Sequence, residues 1–80
     1  MVLNSKEITY QSRGTMYKAL MIYPHHVTRY KTRFFIKGQI SVFNEKNQVL
    51  LKRTGLSRIE LMNIEKQVKK HAKVIMVVAQ

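Results

Sequence analysis

Residues 55–79, GLSRIELMNIEKQVKKHAKVIMVVA, hold a helix and a strand back to back. Ser57 is a helix N-cap, and Glu60 three residues later completes a capping box in which each side chain satisfies an orphan backbone N–H. Leu56 and Leu61 stand at the two positions of a hydrophobic staple, and Gly55 loosens the chain before it. Leu61, Ile64, Val68 and Ala72 then recur at helical spacing as one apolar stripe. Lys66, Lys69, Lys70 and Lys73 form a stripe on the other side, with Glu65 near its edge, and the late position of these cations suits the helix dipole. Val74 to Ala79 is rich in β-branched residues and reads as a final strand, central in its sheet or covered by a partner.

Upstream the period changes from helical to two. Gln48 to Arg53 reads as a strand, joined by the polar turn Asn44-Glu45-Lys46-Asn47 to one ending at Phe43. Arg29 to Lys37 alternates cleanly, with Tyr30, Thr32, Phe34 and Ile36 on one face and Arg29, Lys31, Arg33, Phe35 and Lys37 on the other. Gly38 suits a bulge that carries this strand on through Ile40 and Val42. Pro24 to Thr28 reads as a connection. Before it, Ile8 and Tyr10 alternate with Thr9 and Gln11, Ser12-Arg13-Gly14-Thr15 offers a turn, and Tyr17 to Tyr23 forms a more buried partner strand. The expected order is β-β-β-β-α-β. That is an α+β fold: one small domain over residues 1–80, an antiparallel sheet of about five strands with a single helix in the C-terminal half packed on it.

Composition narrows the chemistry. The 80 residues carry 15 Lys+Arg against four Glu and no Asp, a net charge of +11. Residues 1–40 hold seven cations and one Glu, residues 41–80 eight cations and three Glu, so the charge belongs to the folded body and not to a tail. Such a balance points to a polyanion. The absence of cysteine excludes disulfides, thiolate chemistry and Cys-type zinc sites. Met1-Val2-Leu3, followed at once by Asn4, Ser5, Lys6 and Glu7, does not read as a signal peptide, and none is expected. The longest apolar run has six residues, against about 20 for a membrane-spanning helix. A soluble cytoplasmic protein is expected, without membrane contact.

Two basic constellations are candidates for nucleic-acid binding. On the strand, cations at alternate positions lie roughly 6.5–7 Å apart. That spacing lets Arg29, Lys31, Arg33 and Lys37 follow the phosphates of an extended strand while Phe35 stacks on an unpaired base. On the helix, four like charges that nothing local neutralises suit a phosphate backbone, and lysine contacts of this kind position a nucleic acid without reading its sequence. Lys52 and Arg53 extend one surface or the other. A solvated face that discourages edge aggregation is the plainer account of the same cations.

The other signals are weaker. His25 and His26 lie on the expected loop, and His71 is a boundary residue beside the apolar stripe. With no Cys or Asp nearby they do not resemble a metal site. As general acid and base they would suffice for a metal-independent ribonuclease. No glycine-rich phosphate loop and no carboxylate pair is present, so no cofactor is expected. Ile59 and Met62 sit about 100–160° from the Leu61 stripe. With Val74, Met76 and Val78 they form a candidate interface for a homodimer or a partner protein, expected of a chain this small.

The leading expectation is a non-catalytic nucleic-acid-binding protein that prefers RNA over DNA, because it offers a sheet face with an aromatic and no free recognition helix. The alternative is a small regulator or inhibitor that binds a nuclease, a toxin or another protein of a nucleoprotein complex. In size and composition the chain is similar to the small basic accessory proteins of phages and mobile elements, a likeness carried by no particular residue. A small metal-independent ribonuclease is the third reading.

Overall fold

The computed structural model describes residues 4–79, so the reading of Met1-Val2-Leu3 lies outside them. The elements are β1 (Ser5–Ser12), β2 (Thr15–Ile22), β3 (His25–Arg29), β4 (Thr32–Ile36), β5 (Gly38–Phe43), β6 (Val49–Leu56), α1 (Arg58–His71) and β7 (Lys73–Ala79). Five strands form one antiparallel sheet in the order β6-β5-β2-β1-β7, and β3 and β4 form a separate two-stranded ribbon. The α+β class, the five-stranded antiparallel sheet and the single late helix are as the sequence leads one to expect.

The first hairpin turns at Arg13 and Gly14, both with positive φ (52° and 78°), the two-residue turn whose twist matches its strands. The second, β5–β6, closes through Asn44, whose Oδ1 accepts from the backbone N–H of Lys46 and of Gln48. Alternation then sorts the side chains. Ile8 lies opposite Ala19, and Met21 opposite Ile40, and all four are buried on the face that α1 covers. Tyr23, Leu56 and Leu61 complete the core, with Ile64, Val68 and Val74 packed against it.

The helix begins as its sequence dictates: Ser57 accepts from the Glu60 backbone N–H, and the Glu60 side chain accepts from the Ser57 N–H. Both staple residues, Leu56 and Leu61, are buried. Beneath this corner Gly38 is held by close approach, because a Cβ there would fall on the Leu56 carbonyl oxygen and 2.8 Å from Leu61 Cδ1. The register of β5 on β6 slips between Gly38 and Gln39, at the start of β5, so the irregularity at that glycine does not carry the preceding strand on as expected.

Four expectations need correction. Arg29–Lys37 is not one strand, because the chain reverses at Tyr30 and Lys31, and β4 does not continue into β5 within one sheet. Pro24 to Thr28 is not merely a connection, since His25–Arg29 is β3. The final strand is an edge of the sheet and not its centre, with Ile75, Met76, Val77 and Val78 exposed. The helix ends at His71, which is exposed, so Lys73 belongs to β7 and not to the helical stripe.

Candidate nucleic-acid interface

The β3–β4 ribbon packs chiefly on itself and stands out from the sheet as an arm. Its tip is a two-residue turn, with φ of 52° at Tyr30 and 64° at Lys31. Neither residue is Gly or Asn, and an ordinary L-residue occupies the left-handed region at a cost of roughly 1–2 kcal/mol. The turn fixes the register: Arg29 opposes Thr32, Val27 opposes Phe34 and His25 opposes Ile36, while Thr28 opposes Arg33 and His26 opposes Phe35. Directly opposed residues share a face. One face therefore carries Val27, Arg29, Phe34 and Ile36; the other carries His26, Thr28, Arg33 and Phe35.

This overturns the expected single row of cations. Arg29 and Arg33 lie on opposite faces, Lys31 is in the turn, and Lys37 is an exposed residue on the connection to β5. In exchange, each face of the arm holds one guanidinium and one phenyl ring. Phe34 is 50% exposed, Phe35 56% and Tyr30 91%. A shallow groove of about 580 Å³ is lined by Val27, Thr28, Arg29, Phe34, Phe35 and Ile36. The His26 ring lies 5.0 Å from the Phe35 ring at a tilt of 55°, and His25 Nδ1 is 2.7 Å from the Tyr23 carbonyl oxygen.

On α1, Lys66 and Lys70 are exposed and reach no carboxylate among the described residues, whereas Lys69 leans back to Glu65 at 3.0 Å. Lys52 and Arg53 are exposed on β6 but point to opposite sides of the sheet, Lys52 beside Ser41 and Arg53 beside Ile40. The cations singled out from the sequence are thus divided among the arm and its base, the helix and both edges of the sheet, Lys73 lying on β7. Of the fifteen Lys and Arg, only Lys6, Lys18 and Lys69 are ion-paired among the described residues. The other twelve are uncompensated.

Sequence reasoning missed Glu65. It sits on the inward side of α1, 8% exposed, where Lys6 Nζ reaches Oε1 at 2.9 Å and the Tyr23 hydroxyl donates to Oε2 at 3.2 Å. Burial alone would push this carboxyl up, but the hydrogen bonds from Lys6 and Lys69 outweigh it and hold the group below its ordinary value. The Glu65 hydrogen bond in turn raises Lys6 against the opposing effect of burial, and burial raises the Tyr23 hydroxyl. The Arg58 guanidinium lies 5.3 Å from the centre of the Tyr23 ring. A detectable signal was the position of Glu65 four residues after Leu61 and three before Val68, inside the apolar stripe. Its partner Lys6, fifty-nine residues away, left none.

The five candidate interface residues do not form one patch. Met76 pairs with Thr9 and Val78 with Glu7, which turns both away from the helix, while Val74 is half-buried against the core. Ile59 (71% exposed) and Met62 (45%) lie on α1. Among the described residues no three His, Asp or Glu gather closely enough to hold a metal ion, and no helix is long and apolar enough to cross a membrane. Comparison with protein-family models, with curated proteins and with solved structures yields no match.

Proposed function

We propose that the protein is a non-catalytic nucleic-acid-binding module, acting in the cytoplasm with RNA ahead of DNA as its ligand. The observation that carries this reading is uncompensated charge: twelve cations without a carboxylate among the described residues, three of them (Arg29, Lys31 and Arg33) on an arm that packs chiefly on itself. An isolated two-stranded ribbon is marginal in water, so an arm of this kind gains its order from what it binds. Lys66 and Lys70 on the helix add phosphate contacts, and Lys37 adds one at the base of the arm.

The runner-up is a regulator that docks on a protein of a nucleoprotein complex or on a second copy of itself. It draws on the exposed apolar edge Ile75–Val78, since an uncharged open strand edge is a template for pairing. Tagged protein recovered from cells at low salt, with and without nuclease treatment, separates the two. Co-recovered nucleic acid that disappears with nuclease supports the first reading. One protein held at fixed stoichiometry after nuclease treatment overturns it in favour of the second.

A further inference from the structure

We infer that the β3–β4 arm is a stacking clamp for an unpaired RNA segment, an assignment that rests on the nucleic-acid reading above and names the class of ligand. Three observations lead there. First, the exposed rings occupy both faces and the tip: Phe34 on one side, Phe35 on the other, and Tyr30 at the end. A ribbon that reads a duplex groove presents hydrogen-bond donors and acceptors to base edges. Beside its cations this arm exposes three aromatic rings, and the edges of paired bases offer ring faces little, whereas an unpaired base offers its whole π-face.

Second, each ring has its own cation. Phe34 shares a face with Arg29 and Phe35 shares a face with Arg33, each cation two residue pairs farther toward the tip. A base stacked on the ring leaves its phosphate about 7 Å along the strand, within reach of the guanidinium. The charge selects a polyanion over an apolar peptide, since none of these cations has a carboxylate partner among the described residues. Third, the tip keeps Tyr30 and Lys31 in the left-handed region, where Asn-Gly would sit without strain. Strain retained at a fully exposed position accords with side chains kept for contact.

The test compares a fluorescently labelled U-rich 12-nucleotide RNA with the same RNA annealed to its complement, at one low salt concentration. The native protein binds the single strand about tenfold tighter or more, the scale of one lost stacking contact. Phe34→Leu with Phe35→Leu keeps apolar bulk and strand pairing but removes the rings. It loses that preference and leaves duplex binding unchanged, whereas Phe34→Tyr with Phe35→Tyr retains it. Equal affinity for both forms, or a leucine variant as selective as the native protein, overturns the clamp while leaving general nucleic-acid binding intact. Self-association that vanishes in the leucine variant assigns the rings to a second copy and also overturns it. Failure to bind either RNA sinks the functional reading itself.

Discussion

Lys6 on β1 and Glu65 on α1 meet at 2.9 Å across fifty-nine residues of sequence, and they fasten the helix to the strand beside the exposed edge. Tyr23 from the end of β2 and Lys69 from the next turn of the helix donate to the same carboxylate. A carboxylate with three donors at the edge of the core ties three elements together, and its loss leaves Lys6 half-buried without a counter-charge. Glu65→Gln is expected to cost about 2 kcal/mol, seen as a fall in Tm of roughly 10 °C. An unchanged melt would mean that the cluster is ornamental.

The same cluster sets the pH profile. The Glu65 carboxyl is held below its ordinary value of 4.5, so its contribution is complete above that pH and is lost as pH falls through 4.5 toward the lower folded value. Lys6 and Tyr23 are both raised, so their contributions are complete below 10.5 and 10.0 respectively and fade as pH climbs past those values. Chemical denaturation between pH 2.5 and 11 should show a plateau with losses at both ends, and Glu65→Gln should flatten the acid limb.

Gly38 and Gly14 should respond differently to alanine. At Gly38 the new Cβ meets the Leu56 carbonyl oxygen and the buried Leu61 side chain, a cost of about 2 kcal/mol or more. At Gly14 nothing lies within 4 Å, so only the positive φ is penalised, at about 1 kcal/mol. Urea midpoints of the two variants measure the difference, and equal midpoints would contradict the packing at Gly38.

At the arm tip, Tyr30→Asn with Lys31→Gly replaces two strained residues by the pair the turn prefers. The ribbon should become better protected against amide hydrogen exchange while RNA affinity falls, because Tyr30 and Lys31 are lost. A gain in both order and affinity would show that the tip side chains are not used.

Much of the fold was legible because its signals are local. Ser57, Glu60 and the Leu56–Leu61 pair mark the helix start within six residues, and Asn44 marks a turn by chemistry that acts two to four residues away. The arm was not legible for the converse reason. Tyr30-Lys31 carries no Gly or Asn, and the alternation on either side runs through it undisturbed, so a hairpin of two five-residue strands imitates one long strand. That single reversal moved Arg29 and Arg33 to opposite faces and changed the candidate site from a row of cations to a two-sided arm. β7 misled in a different way, because an uninterrupted apolar run normally marks a strand covered on both sides. Here it lies at an open edge. The sheet order depends on long-range pairing of β1 with β7, which no local pattern encodes.

The central claim is that uncompensated cations, those of the arm foremost, hold a nucleic-acid backbone. Its most direct test is the salt dependence of RNA binding by the native protein and by Lys31→Glu with Arg33→Glu. Each phosphate contact adds about 0.7 to the log–log slope for a single strand, so a slope of roughly −3 is expected if four or more cations engage. The double variant should lower affinity at least tenfold, flatten the slope by about 1.4 or more and leave the melt unchanged, since both residues lie outside the core. A native slope near zero, or a variant that binds as tightly as the native protein, would contradict the account.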